Sequence, residues 1–549
     1  MRRNTIAMLC IVLLSASFIF SLSGLSIAAS PSARSVRLPI LATTALSTLD
    51  PIQSVDIAQY DLCNQIFEGL LTVDDKGKLA PGLAEWWEHS PDYKIWKFRL
   101  RDASFADDQA FLDGKGRKIS ADDVIYSFKR GLSPQRGSKG SFALGRAVLG
   151  AKDFSEGTAL DVSGLRVLSS DTIEIELVAG DCFFPAALTV PATYIVPREA
   201  VDSYGSNFGR KPVGSGPFKL SQWNEGANLI LIRNESYGNG KGKQPAVPQI
   251  DTFEFRFFRS EASMVAAFKN GEIDARPAVG ADFATLPNGS WKETFNAQYP
   301  DASLVSPGWV LKLNLLAPQM GNERVFGKKD GLQRQALTQI LFNELSAIDA
   351  FRGIGAPQQQ LLPDVLTSAD ESPPPLSLLD NPEQVLKEAM KGQTIRVAYA
   401  STRINDIIVT VLERVLSNAG GKVLKFPTTS INALFGSLAT ANPDLTLIYW
   451  SPYYPNISEY LTALLTSSQP VPNFTGFSSV EFDNLYKELV RGQVDNIKIV
   501  AEIGFYLNSA MPWIPLYMET PYYLVSKRIQ NFSISPVSVT QLTKICFVH

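Results

Sequence analysis

The amino-acid sequence predicts an α/β fold of more than one domain, and three observations carry the prediction. The chain has 549 residues, enough for two to four domains. Strand-like and helix-like patterns alternate from Thr394 to Trp450, which implies an α/β layer. Lys94 to Arg130 reads as a strand, a charged loop and a helix.

Taken in order, Val36 to Thr43 reads as a strand and Tyr60 to Leu70 as a helix-like stretch. Ser90-Pro91-Asp92-Tyr93 has turn composition. From Lys94 to Arg101, Trp96, Phe98 and Leu100 alternate with Lys97, Arg99 and Arg101, the pattern of a half-buried strand. Ser120 is placed to cap a helix whose first turn carries Asp122 and Asp123 and whose end carries Lys129 and Arg130. Both sets of charges oppose the helix dipole. Asp171 to Val178 alternates Ile173, Ile175 and Leu177 with Glu174 and Glu176, and is expected as a surface strand. Thr252 to Phe258 alternates in the same way. Ser260 then caps a helix that gives way at Gly271. Glu272 and Asp274 are expected on a solvated strand edge rather than as an acid–base pair. Leu311 to Leu315, Thr394 to Ala400 and Asp444 to Trp450 read as strands, and Asp406 to Ala419 as a helix with Ile407, Val411 and Val415 on one face. Ser372-Pro373-Pro374-Pro375 marks a stiff connector.

Arg2 and Arg3 precede an apolar run from Ile6 to Phe20 and small residues near Ala28-Ala29-Ser30, which reads as a secretory signal peptide over residues 1–30. Cys10 lies inside the run, too early for lipid attachment, so a lipoprotein is not expected. Loss of that segment removes two bases and no acid, and moves the formal net charge from −3 to −5. There is no Lys/Arg block, so nucleic acid is not an expected partner. Cys63, Cys182 and Cys546 remain, enough for one disulfide at most. They are too scattered for a metal ribbon, and no cofactor is expected.

Two stretches resemble a known family. Pro81 to Leu132 contains PGLAEWWEHSPDYKIWKFRLRDASFADD and then KISADDVIYSFKRGL. Pro212 to Tyr237 reads PVGSGPFKLSQWNEGANLILIRNESY. Both are similar to the fingerprints of extracytoplasmic solute-binding proteins of the oligopeptide/dipeptide-binding family. LSTLDP at Leu46–Pro51, Ile66-Phe67-Glu68-Gly69-Leu70 and KNGEIDA around Gly271 agree with the same family pattern. The resemblance covers nearly the whole chain after residue 30 but is specific mainly before residue 275. It implies a two-lobed periplasmic binding protein fold of type II with an additional small domain. Lobe I takes residues 31–75, 205–305 and 515–549, the small accessory domain residues 76–204, and lobe II residues 306–514.

The resemblance further implies a non-enzyme: a monomeric periplasmic component of an ABC importer. It would capture a peptide or other small solute and deliver it to a permease at the inner membrane. Where the family reads W-x-A-D-Y-P-D-P, this chain has Trp450-Ser451-Pro452-Tyr453-Tyr454-Pro455-Asn456. Tyr453 thus replaces the Asp that pairs with a peptide's ammonium, a loss of about tenfold or more in affinity for a free amino terminus. Trp450, Tyr453 and Tyr454 offer stiff faces suited to amphipathic or ring-bearing ligands. Arg403 is a candidate clamp for a carboxylate. Gly214 and Ser215 belong to a loop whose glycines fit neither phosphate-binding pattern, and they are expected beside the hinge, with backbone near the ligand. Two other readings are a sensing receptor of the same fold and a secreted hydrolase. The hydrolase has only His89 and His549 as bases, and no G-x-S-x-G elbow.

Overall fold

The computed structural model describes residues 35–41, 46–54, 57–74, 76–133, 141–279, 282, 291–306, 310, 312–320, 324–328, 331–348, 355–363, 366, 378–452, 456–465, 475–492, 496–535 and 539–548. The expected signal peptide, Tyr453, Tyr454, the Ser372–Pro375 connector and His549 lie outside them.

The first lobe is built on a four-stranded sheet. Strand Ser35–Leu41 runs parallel to Thr252–Phe258, and Asn228–Arg233 and Phe218–Asn224 continue it antiparallel. The period-2 alternation of Thr252–Phe258 decides its faces. Phe253 and Phe255 are buried, while Glu254 and Arg256 pair with each other outside the core at 3.0 Å.

The accessory domain carries a second antiparallel sheet in the order Ala84–His89, Ile95–Leu100, Thr172–Glu176, Leu165–Ser169. Trp96, Phe98 and Leu100 point into the core with Ile173 and Ile175. Thr172–Glu176 is therefore an inner strand and not the surface strand its sequence suggested; Leu165–Ser169 covers its other edge. Over this sheet lies the helix Ala121–Leu132. Its first turn is closed by the Ser120 N–H, which donates to Asp123 Oδ2 at 2.9 Å. At its far end Arg130 forks onto Asp50 at 2.8 and 2.5 Å, which ties the helix to the first lobe. One continuous core runs from Val36 and Phe253 in the first sheet to Phe98 and Phe128 in the accessory domain, so the two share a hydrophobic interior.

The second lobe is a six-stranded mixed sheet in the order Gly355–Pro357, Ile514–Glu519, Leu313–Pro318, Leu445–Trp450, Thr394–Ala400, Lys422–Thr428. Thr394–Ala400 pairs parallel with both of its neighbours, the geometry of helix crossovers. Helices Arg403–Asn418 and Ile431–Ala441 supply them. Both faces are covered: Val397 and Tyr399 enter one core and Ala398 the other. That double burial explains the nearly unbroken apolar run of this strand.

The chain passes between the lobes twice. It leaves the first lobe after Ala302–Val305 and enters the second at Leu313–Pro318, and it returns between Ile514–Glu519 and Tyr523–Ser526. The crossings run side by side. Val310 N–H donates to Glu519 O at 3.2 Å, and Glu519 N–H donates to Lys312 O at 3.0 Å. Residues 515–519, assigned to lobe I from the sequence, pair within the second-lobe sheet, so the return crossing lies beyond Glu519.

Asp274 also departs from expectation. It is 2% exposed and precedes, rather than occupies, the strand Ala275–Pro277. Its carboxylate accepts from Arg37 at 3.1 Å and from Arg528 at 2.6 Å, which pins the first strand to the C-terminal segment. Among the described residues Cys63, Cys182 and Cys546 form no disulfide with one another, no group of His, Cys, Asp and Glu could hold a metal, and no helix is long and apolar enough to cross a membrane.

Candidate functional site

A cavity of about 350 Å³ opens where the crossing strands meet the first lobe. Its apolar wall comes from the first strand, with Leu38 and Ile40, and its polar lining includes Asp61, Lys312, Glu519 and Tyr523. Lys312 and Glu519 come from the two opposite crossings and form an ion pair at 2.7 Å. Asn314 Nδ2 reaches the same Glu519 oxygen at 3.5 Å. The Lys312 ammonium also lies 4.4 Å from the centre of the exposed Tyr449 ring, in cation–π range. Asp61, on helix Ile57–Ile66, accepts from the Thr540 N–H at 2.8 Å, the Thr540 hydroxyl at 2.7 Å and Gln65 Nε2 at 3.2 Å. Burial outweighs these bonds and pushes its carboxyl up to about 6. Burial, with Asp61 and Glu519 nearby, also raises the Tyr523 hydroxyl.

The lobes meet at a second place. The Cys182 N–H of the accessory domain donates to Val490 O at 2.8 Å, and its thiol donates to Leu489 O at 3.6 Å. Those carbonyls end the second-lobe helix Val480–Arg491, and the accessory domain supplies the donor that a helix end lacks. Phe183 packs into the second-lobe core. Burial pushes the neighbouring Asp181 carboxyl up to about 6. Beside this contact a cavity of about 150 Å³ is lined by Cys182, Phe183 and Asn456.

A third cavity, of about 430 Å³, lies within the first lobe and accessory domain. Glu68 and Arg101 meet there at 2.6 Å, and Arg101 also donates to Gly82 O and Gln244 Oε1, each at 3.0 Å. Every donor and acceptor just named belongs to the protein, and the cluster binds the accessory sheet to the first lobe.

The structure distributes the sequence-predicted residues unevenly. Trp450 ends strand Leu445–Trp450 opposite Leu313. It is half-buried against the second-lobe core, and its indole Nε1 has no hydrogen-bond partner among the described residues. Tyr453 and Tyr454 are outside the described residues. Asn456, which stands in the loop's second Asp position, accepts from Glu459 N–H at 2.8 Å and so caps helix Ile457–Leu465. Arg403 is exposed in the first turn of Arg403–Asn418 and lines none of the three cavities. Gly214 and Ser215 are buried against the end of helix Ile57–Ile66, and Ser215 is only 2% exposed. A Cβ on Gly214 would lie 2.1 Å from Ile66 O, so close packing of backbone on backbone requires glycine there. Sequence reasoning missed Lys312 and Glu519. Each is the only charge in a largely apolar stretch, LKLNL and IPLYME, a signal that was present in the sequence.

Comparison with known proteins agrees with this architecture. Residues 78–470 match the model of bacterial extracellular solute-binding proteins, family 5. The periplasmic oligopeptide-binding protein OppA of Escherichia coli (strain K12) is 28% identical over 234 residues, 42% of this chain and 40% of that protein. The chain thus spans about two fifths of the length of this relative. The dipeptide-binding protein DppE of Bacillus subtilis (strain 168) is 21% identical over 516 residues, 90% of this chain and 89% of that one. Among solved structures, the Escherichia coli murein tripeptide binding protein MppA superposes with a TM-score of 0.72 at 19% identity, covering 94% of this chain and 98% of the other. The periplasmic binding protein DppA from Helicobacter pylori, in complex with peptide STSA, gives 0.73 at 17% identity, with coverage of 93% and 98%. These structural likenesses establish the two-lobed fold.

Proposed function

The chain belongs to the bacterial extracellular solute-binding proteins of family 5, and from that premise we propose that it is the periplasmic substrate-binding component of an ABC importer. It captures peptides, or a peptide-like amphipathic solute, between its lobes and delivers them unchanged to a membrane permease. The observation that supports this reading is the pair of crossing strands that join the lobes, with a charged cavity where they meet the first lobe. The relatives and structural neighbours are binding proteins, which supports a non-enzymatic role; His89 is exposed, stacked 4.3 Å from Tyr93, with Nδ1 against Ser90 O.

In this reading residues 76–204 form the accessory domain and residues 306–519 the second lobe, with the rest of the chain from residue 31 in the first. Trp450 faces the solute together with Tyr453 and Tyr454, while the exposed guanidinium of Arg403 is available to a carboxylate. A ligand drives closure only through contacts that the open form lacks, and moving from mostly open to mostly closed takes a preference of about 5 kcal/mol. Native mass spectrometry of protein purified without denaturation tests the proposal. A co-purifying peptide or amphipathic solute is expected. Recovery of a covalently altered product from an added peptide sinks the transport reading.

A further inference from the structure

We infer that the cavity at the crossing strands receives a protonated amine and that Glu519 is its acceptor, an inference that rests on the solute-binding reading above. Glu519 closes strand Ile514–Glu519, and only its Oε1 is engaged, by Lys312 at 2.7 Å and Asn314 at 3.5 Å. Its Oε2 makes no hydrogen bond to any described residue. The hydroxyl of Tyr523, in the same cavity, makes none either. Two acceptor atoms are thus left over in one pocket, and an ammonium group brings three donors and no acceptor.

The charges select the same class of ligand. Among the described residues the charged side chains lining the cavity are Asp61, Arg276, Lys312 and Glu519. The Arg276 guanidinium is turned to Asp282, with bonds of 2.7 and 2.8 Å, and to Pro277 O and the Tyr299 hydroxyl. That leaves two carboxylates against one ammonium, an excess that favours a cation and disfavours an anion. Lys312 keeps a second partner in the Tyr449 ring, so an incoming amine does not strand it. The remaining wall, with Leu38, Ile40 and Phe532, is apolar, which fits an amine carried on an apolar stem. Because Glu519 and Lys312 come from different crossings, a cation at Glu519 bonds to the segment on which the lobes turn.

Calorimetric titration with trileucine and N-acetyl-trileucine tests the inference on the wild type, Glu519→Gln and Lys312→Met. The wild type is expected to bind the free amine about tenfold or more tighter than the acetylated form. Glu519→Gln loses that preference while its melting curve stays cooperative. Lys312→Met keeps or enlarges the preference, because the carboxylate loses its competitor, and it carries the test if Glu519→Gln does not fold. Equal binding of both forms by the wild type overturns this inference alone, as does a preference retained in Glu519→Gln or lost in Lys312→Met. A wild type that binds neither form overturns the peptide reading as well.

Discussion

The backbone N–H of Cys182 donates to the carbonyl oxygen of Val490 at 2.8 Å, so the accessory domain caps a helix that belongs to the opposite lobe. The contact needs a close approach just past that helix. Gly492 there has φ of +59°, and a Cβ on it would lie 2.9 Å from the Tyr93 ring and 3.0 Å from Cys182 Cβ. Replacement by valine combines a left-handed backbone cost of about 1–2 kcal/mol with a collision across the lobe contact. Gly492→Val is expected to weaken solute binding several-fold and to raise the radius of gyration in small-angle scattering with solute present. An unchanged radius and affinity would show that this contact plays no part in closure.

Asp274 is buried between Arg37 and Arg528. Removing it leaves two partly exposed guanidinium groups without their shared partner and the Arg37 N–H without its acceptor. Asp274→Ala is expected to cost about 1–3 kcal/mol, measured by urea denaturation. A loss below about 1 kcal/mol would mean that water reaches both arginines freely.

The carboxyls of Asp61 and Asp181 are each raised to about 6, mainly by burial. Between about pH 4 and pH 6 the folded protein therefore holds protons that the unfolded chain has released. The contribution of these two groups to stability falls as pH rises through that window and levels off above it, opposite in sign to that of the carboxylates held low by their partners, such as Glu199 and Asp282. Asp181→Asn is expected to flatten part of this slope in thermal melts taken from pH 4 to pH 7. A slope equal to that of the wild type would place Asp181 in contact with solvent.

Asn456 accepts from the Glu459 N–H at the start of Ile457–Leu465. Asn456→Ala is expected to lose about 1 kcal/mol of stability, and Asn456→Asp to lose little, since both Asn and Asp cap well. Urea midpoints for the two variants check this. Equal losses would remove capping as the reason for asparagine here.

Strands Ile95–Leu100, Thr252–Phe258 and Thr394–Ala400 were legible in the sequence because their apolar residues keep a period of two or an unbroken run. The helix caps at Ser120 and Ser260 were legible because capping is local. Strand Lys422–Thr428 escaped because KVLKFPT sits at a sheet edge and is largely solvated. Asp274 was misread because its partners, Arg37 and Arg528, are remote in the chain, and nothing within a few residues announces them. The meeting of Lys312 and Glu519 was hidden for the same reason: each charge was visible, but only the pairing of the two crossing strands brings them together. The loop from Trp450 to Asn456 was found from its sequence, yet at Asn456 the side chain serves the following helix.

The two connectors are bonded to each other through Lys312, Val310 and Glu519, so neither can slide lengthwise without breaking its neighbour's bonds. What survives is swinging, as of a gate on twin hinges fastened to one post. Closure by a solute would then repeat one alignment whatever is enclosed, and a guest too bulky to enclose would hold the gate ajar instead of shifting it sideways.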